Sequence, residues 1–128
     1  MTISMGCVTI DCVDPLPLAE FWNSALGWGG AATTEEGHGA VCGPADGGIY
    51  LEFVKVPETK TIKNRLHLGC AATSLIDLDA EIERLLSLGA SIAWEEEFPA
   101  EIAGVYRNVI LRDPEGNEFC LGGGDYPA

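Results

Sequence analysis

The stretch that decides the fold is "LRDPEGNEFCLGGG", residues Leu111–Gly124. An apolar, strand-like run ends at Arg112, an Asp-Pro-Glu-Gly-Asn segment follows, and a second short apolar run contains Cys120. Asp, Pro, Gly and Asn each favour a tight turn for their own steric or hydrogen-bonding reasons. The stretch therefore predicts two strands joined by a short turn, with a cysteine inside the second strand.

Beyond this stretch, the chain contains two copies of one sequence pattern. The copies are "CVTIDCVDPLPLAEFWNSALGW" and "HLGCAATSLIDLDAEIERLLSLGA", and each gives a strand, an N-cap, an amphipathic helix and a Leu-Gly stop. In the first copy Asp14 is the predicted N-cap and Gly27 the predicted helix end. Asp77 and Gly89 take these places in the second copy. Further strand candidates follow each helix, so the sequence predicts two tandem βαβββ modules of the α+β class.

The repeat also sets the predicted boundaries. We place module 1 at about residues 5–56, a polar linker at about 57–64 and module 2 at about 65–122. Because 128 residues are about one domain in length, residues 1–128 are predicted to form a single domain. Internal repeats of this kind usually give a pseudo-symmetric fold in which each unit completes the core of the other.

Composition narrows the possible partners. The net charge is −13, with 20 acidic and 7 basic residues, which disfavours binding to nucleic acid or to an anionic membrane. The sequence shows neither a secretion signal nor an apolar run of roughly 18 residues, so we expect a cytoplasmic protein without membrane spans. The five cysteines are odd in number and lack CxxC spacing, which predicts reduced thiols.

With the motifs "DP…FW…LGW" in module 1 and "VILRDPEGNEFCL" in module 2, the chain resembles the vicinal oxygen chelate superfamily over nearly its whole length. That superfamily includes glyoxalase I, fosfomycin- and bleomycin-resistance proteins and extradiol dioxygenases, and the small glyoxalase-like proteins are the most similar group. The resemblance implies a cup-shaped mixed sheet made by the paired modules, the glyoxalase/bleomycin-resistance fold. It also implies a divalent metal in the concavity of active members and frequent homodimers.

A metal site is implied because metal-using members take one ligand from the first strand and one from the last strand of each module. In this sequence those positions hold Cys7, Glu52, His67 and Cys120. Only Glu52 and His67 keep the residue types of the family, which are His and Glu. Two thiolates, an imidazole and a carboxylate would suit tetrahedral Zn²⁺, although four protein ligands leave no open position for a substrate. In the alternative, both cysteines fill space in the sheet as small apolar residues.

Strand alternation adds candidates, because residues two apart on a strand share a face. Thr9, Tyr50 and Arg65 each lie two residues from one of the implied metal positions, and we predict that they line a ligand pocket. Glu118 lies two residues before Cys120 and is a candidate general acid or base if the pocket excludes water. In the alternative, Glu118 lies in solvent beyond the turn.

Three classes of function remain open. We favour a glyoxalase-like protein that binds a small organic molecule in the concave sheet, with catalysis unproven, because half of the implied ligand set is replaced. A metal-dependent lyase, isomerase or dioxygenase would need an open coordination position or a substitute acid-base pair. An antibiotic-sequestering protein of the bleomycin-resistance kind would need only the cup and a dimer groove, and a structural domain would need neither. Homodimerisation is predicted from the resemblance and from an exposed sheet edge in each module.

Overall fold

The computed structural model describes residues 2–34, 37–72, 74–97 and 106–124. Contacts divide the chain into two compact units, Met1–Thr61 and Ile62–Ala128. Unit 1 contains β1 (Cys7–Cys12), α1 (Pro15–Leu26), β2 (Ala31–Thr33), β3 (Gly39–Cys42) and β4 (Tyr50–Lys55). Unit 2 contains β5 (Gly69–Ala71), α2 (Leu75–Leu88), β6 (Ser91–Glu97), β7 (Tyr106–Arg112) and β8 (Glu118–Gly124). The predicted α+β class with two βαβββ modules is confirmed.

The two sheets have the same strand order, which is β1-β4-β3-β2 in unit 1 and β5-β8-β7-β6 in unit 2. In each sheet the first and last strands of the module run parallel side by side, and the other pairs are antiparallel. A parallel pair needs a long crossover connection, and the helix and the two intervening strands supply it. Cys7 and Glu52, two of the implied metal positions, therefore lie on the hydrogen-bonded neighbours β1 and β4.

The "DPEGN" turn is organised by Asp113, which is 3% exposed. Its Oδ1 accepts hydrogen bonds from the backbone N–H groups of Glu115 at 2.9 Å and Asn117 at 3.0 Å. Gly116 adopts a φ of 86°, in the left-handed region that favours glycine, and its N–H donates to the Asp113 carbonyl at 2.9 Å. The turn joins β7 to β8 in an antiparallel hairpin, so this part of the prediction is correct.

The core of unit 1 lies between α1 and one face of its sheet. Asp14 precedes the helix in an extended conformation, Pro15 begins it, and Gly27 ends it with a φ of 66°, as the sequence predicts. The buried apolar side chains are Cys12, Leu18, Ala19, Phe21, Trp22, Ala40, Cys42, Leu51 and Phe53. Because Leu51 and Phe53 alternate with Tyr50 and Glu52 on β4, the latter pair lies on the face opposite the helix.

The core of unit 2 is built in the same way from α2 and its sheet. Its buried apolar side chains include Leu78, Ile82, Leu85, Val109, Leu111, Phe119 and Leu121. Gly123 allows a close approach here, since a Cβ at that position would lie 3.0 Å from the Cβ of Leu78. None of the helices among the described residues is long and apolar enough to cross a membrane.

The N-cap of α2 is Ser74 and not Asp77, so that prediction is wrong by three residues. Ser74 Oγ accepts from the Asp77 backbone N–H at 3.2 Å and donates to the Asp77 carboxylate at 3.0 Å. A serine with an acidic residue three positions later forms a reciprocal pair, and the helix therefore starts one turn earlier. Gly89 ends the helix with a φ of 118°, as predicted.

Strand β5 is shorter than the predicted strand "RLHLGCAA". Arg65 and Leu66 lie in a bend, and His67 precedes the strand. The ladder nevertheless extends beyond β5, because the Leu68 carbonyl accepts from the Cys120 N–H at 2.9 Å. Alternation along a strand consequently gives no information about the direction of Arg65.

Candidate functional site

One polar surface lies on the helix-opposite face of the unit 1 sheet. The parallel register pairs Cys7 with Tyr50 and Thr9 with Glu52, so these four side chains stand side by side on β1 and β4. We call Cys7, Thr9, Tyr50 and Glu52 the first polar face. All four are site candidates from the sequence, and the structure brings them together on one face.

Hydrogen bonds link the members of the first polar face. Thr9 Oγ1 donates to Glu52 Oε1 at 3.1 Å, and Cys7 Sγ lies 3.6 Å from Thr9 Oγ1. A hydrogen bond with Cys7 raises the pKa of Tyr50 above its ordinary value of 10.0. The surface thus combines a neutral phenol, a thiol, a hydroxyl and a carboxylate, which can hold a polar organic group by hydrogen bonds.

A second polar surface lies on the helix-opposite face of the unit 2 sheet. Phe119 and Leu121 point to the core, so Glu118 and Cys120 lie on the other face of β8. A Cβ at Gly69 would lie 3.4 Å from Cys120 Sγ, which confirms that Cys120 points across β5 on this face. The antiparallel registers place Asn108 and Trp94 on the same face.

Glu118 is buried, with an exposed fraction of 4%. Its Oε2 accepts from the backbone N–H of Asn64 at 3.4 Å, and the Asn64 amide also donates to Asn117 Oδ1 at 3.4 Å. The alternative expectation that Glu118 lies in solvent is therefore not met, because the segment before β5 covers the end of β8. Its role as a general acid or base stays a prediction.

Sequence reasoning missed a cluster formed by Trp94, Glu96 and Asn108. Glu96 accepts from Trp94 Nε1 at 3.4 Å and from Asn108 Nδ2 at 3.2 Å. Lys63 Nζ lies 5.8 Å from the centroid of the Trp94 ring. We call Trp94, Glu96 and Asn108 the second polar face. Only alternation along the strands "SIAWEEE" and "YRNVILR" could have indicated this grouping, and only if their register had been known.

The buried part of this cluster contains an unmatched acceptor. Asn108 is 7% exposed, and its Oδ1 has no hydrogen-bond partner among the described residues. Buried polar atoms are nearly always paired, so an exception of this kind needs an explanation.

The four positions implied as metal ligands are divided between the units. Thr9 lies between Cys7 and Glu52 and bonds to the Glu52 carboxylate, and His67 is exposed outside β5. Across the described ranges, no three His, Cys, Asp or Glu side chains form a group that could hold a metal ion. The Zn²⁺ ligand set therefore stays a prediction.

Cys42 and Cys70 are poor nucleophiles because burial raises the pKa of their thiols. None of the five cysteines, all of which lie in the described ranges, forms a disulfide. Burial raises the pKa of the Cys42 thiol to about 11, and burial followed by the charge of Cys120 raises that of Cys70 to about 11. Both therefore remain thiols at neutral pH.

A separate cleft of about 340 Å³ lies in unit 1. Its lining residues are Gly37, His38, Lys55, Val56 and Pro57. Two of its lining residues are hydrogen-bonded, since the Lys55 N–H donates to the His38 carbonyl at 2.9 Å. None of the site residues predicted from the sequence lines this cleft.

Comparison with known proteins identifies one family. The sequence pattern of the glyoxalase-like domain matches residues 7–122, which is most of the chain. Among curated proteins, none matches the sequence significantly.

Solved structures share the fold at low sequence identity. A mutant of the fosfomycin resistance protein FosX from Listeria monocytogenes, in complex with Mn(II) and 1S,2S-dihydroxypropylphosphonic acid, has a TM-score of 0.75 at 16% identity, covering 98% of this chain and 93% of that one. A glyoxalase/bleomycin resistance protein/dioxygenase family enzyme from Burkholderia phytofirmans has a TM-score of 0.69 at 17% identity, covering 92% and 96%. Lactoylglutathione lyase from Agrobacterium tumefaciens has a TM-score of 0.61 at 17% identity, covering 94% and 93%.

Proposed function

The chain belongs to the family of glyoxalase-like domains, and from that premise we propose that it binds a small organic molecule on its polar sheet faces without needing a metal ion. The first polar face supplies Tyr50 and Thr9 as hydroxyl groups and Glu52 as a carboxylate. Arg65 and His67, both exposed, precede β5 in the other unit. Binding of the molecule does not by itself imply that the protein converts it.

The observation that carries the proposal is the hydrogen bond between Thr9 and Glu52. One oxygen of Glu52 accepts from the Thr9 hydroxyl, so only the other oxygen is available to a ligand. Thiols replace the usual residues at two further positions, and His67 is exposed. These features favour recognition by hydrogen bonds over coordination chemistry.

The structural relatives support a small organic molecule as the class of ligand. FosX is described with a dihydroxypropylphosphonic acid, and the Agrobacterium protein is a lactoylglutathione lyase. Identities of 16% and 17% show the fold alone, so neither compound is carried over to this chain.

A second candidate is a metal-dependent lyase, isomerase or dioxygenase, and the burial of Glu118 favours it. A carboxylate that is 4% exposed on the helix-opposite side of β8 has the low solvent access that an acid-base group needs. In that case Glu118→Gln would abolish turnover and leave the fold intact. An antibiotic-sequestering role is the third candidate, and the net charge of −13 favours it for cationic compounds.

A thermal-shift screen tests the proposal on the full chain. Protein stripped with a chelator and protein loaded with Mn²⁺ or Zn²⁺ are screened against organic acids, amines, fosfomycin and bleomycin. A compound at about ten times its Kd raises the Tm by about 4 °C in a chain of this size. We expect such a shift in the chelated protein, reduced in Glu52→Gln. Shifts that occur only in the metal-loaded protein support the enzyme candidate, and the absence of any shift overturns the proposal.

Homodimerisation is part of the same proposal. Four large apolar side chains that precede the first strand of each module are strongly exposed, namely Ile3, Met5, Ile62 and Leu66. A second copy of the chain would remove such side chains from water. Sedimentation equilibrium at micromolar concentration should give the mass of two chains, and a monomer there would contradict the expectation.

A further inference from the structure

The side-chain oxygen of Asn108, Oδ1, is buried and has no hydrogen-bond partner among the described residues. Glu96 fixes the orientation of the Asn108 amide, because the carboxylate can only accept and the Nδ2 group is the donor that faces it at 3.2 Å. Rotating the amide by half a turn would place two acceptors against each other. Asn108 Oδ1 is therefore the group left without a partner.

Leaving this oxygen unpaired is unfavourable. Asn108 is 7% exposed, so bulk water does not solvate the oxygen, and a buried acceptor without a hydrogen bond destabilises the fold. The missing partner must be a hydrogen-bond donor. A bound molecule with an N–H or O–H group can supply it, as can an enclosed water molecule.

The negative charge of Glu96 beside Asn108 favours a charged N–H donor over a neutral hydroxyl. The Glu96 carboxylate accepts hydrogen bonds from Trp94 and Asn108 but forms no ion pair among the described residues. Arg84 and Arg107 form their ion pairs with other carboxylates. A charged N–H donor beside Glu96 would gain an ion pair as well as a hydrogen bond. A neutral hydroxyl would gain only the hydrogen bond.

Trp94 provides the third element of the recognition. Its side chain is 37% exposed, and Lys63 Nζ lies 5.8 Å from the ring centroid, within the range of a cation–π contact. A tryptophan face next to a carboxylate that forms no ion pair among the described residues is a favourable position for an organic cation. Lys63 shows that this position accepts an ammonium group.

We propose that the second polar face binds a small organic cation with at least one N–H group, such as a primary amine. The ammonium group lies over the Trp94 ring, pairs with Glu96 and donates to Asn108 Oδ1, and Lys63 holds the ring face until the ligand replaces it. The inference rests on the proposed function, because it names the class of molecule that the chain binds.

The other cations of this sheet do not compete for the position. Arg107 lies on the helix side, where Glu95 at 2.6 Å and Asp79 at 2.8 Å hold its guanidinium. Arg112 is four residues from Asn108 along β7, which is about 13 Å in an extended strand. Lys63 is the basic residue that the structure places over the Trp94 ring.

An NMR titration of the full, isotope-labelled chain tests the inference. The probes are benzylammonium, benzyltrimethylammonium, which keeps the charge but has no N–H, and benzyl alcohol, which keeps a donor but has no charge. The resonances observed are the Trp94 indole N–H and the Asn108 side-chain amide. We expect benzylammonium to bind about tenfold more tightly than either of the other probes.

Three variants make the test specific. Glu96→Gln, a substitution of an exposed side chain that keeps the fold, should weaken benzylammonium binding about tenfold. Asn108→Leu should remove the advantage of benzylammonium over benzyltrimethylammonium. Lys63→Met should tighten binding about threefold, because the internal competitor is gone, whereas the control Arg112→Met removes one positive charge about 13 Å from Asn108 along β7 without that effect.

The outcomes separate this inference from the proposed function. Equal affinities for the three probes, or an unchanged affinity in Lys63→Met and Glu96→Gln, overturn the cation site while binding of organic molecules stands. Binding of another compound class that leaves both resonances unmoved also overturns it. If no probe here and no compound in the thermal-shift screen binds, the proposed function fails as well.

Discussion

The hydroxyl of Thr9 on β1 donates a 3.1 Å hydrogen bond to the carboxylate of Glu52 on β4. Glu52 is the position at which the family resemblance implies a metal ligand, and Thr9 lies two residues from another such position, Cys7. The bond ties two neighbouring parallel strands together on the helix-opposite face. It also determines which oxygen of Glu52 remains available to a ligand.

Thr9→Val should destabilise the protein by about 0.5–1 kcal/mol, because the Glu52 carboxylate loses a hydrogen bond on a partly exposed surface. Chemical denaturation measures the free energy of unfolding. Thr9→Ser keeps the hydroxyl and serves as the control. Equal stability of the valine and serine variants would show that the bond contributes nothing.

Gly123→Ala should destabilise unit 2 by about 1–3 kcal/mol, since the added Cβ would lie 3.0 Å from Leu78 Cβ and 3.1 Å from the Ser74 carbonyl. The matched control is Gly69→Ala on the neighbouring strand β5, where the new Cβ makes an ordinary 3.4 Å contact with Cys120 Sγ. Thermal unfolding compares the two. A Gly123→Ala variant as stable as Gly69→Ala would contradict the close approach of α2.

Ser74→Ala should cost about 1 kcal/mol, because the first turn of α2 loses the side chain that accepts from the Asp77 N–H. Ser74→Thr keeps the acceptor and should remain close to the unchanged protein. Urea denaturation followed by circular dichroism gives both values. If Asp77→Ala were the more damaging substitution, the cap would lie at the position that the sequence first suggested.

Alkaline pH should weaken the fold through Cys42. Burial raises the pKa of this thiol from 9.0 to about 11, so the unfolded chain releases the proton first. The contribution is complete below pH 9 and is lost as the pH rises towards 11, up to about 2 kcal/mol. Urea midpoints measured from pH 8 to 11 should fall less in Cys42→Ala than in the unchanged protein. Parallel profiles would remove Cys42 as the cause.

The sequence was sufficient for the repeated architecture because its signals agree with one another. Asp14, Pro15 and Gly27 bound α1, and "DPEGN" supplies every residue that the β7–β8 turn uses. The N-cap of α2 was misplaced because Ser74 and Asp77 are both good caps and only the reciprocal bond distinguishes them. A cap or a turn can be predicted from the sequence when one residue suits the position better than its neighbours do.

The second polar face was not predictable, for a different reason. Glu96 and Asn108 meet only across the β6–β7 register, which shifts at a bulge between Ile92 and Trp94. A one-residue change of register would move Asn108 to the core side, and a single sequence does not fix it. Similarly, the burial of Glu118 depends on the backbone of Asn64, which no periodicity of the strand could indicate.

The measurement that tests the central claim most directly is a calorimetric titration with the compound that gives the largest thermal shift, in chelated and Zn²⁺-loaded protein. Elemental mass spectrometry checks the metal content of both samples. We predict Kd values that agree within about twofold, and a weaker Kd in Glu52→Gln whether or not metal is present. Binding that appears only with stoichiometric metal, and that Glu52→Ala and His67→Ala abolish together with the metal, would contradict the account.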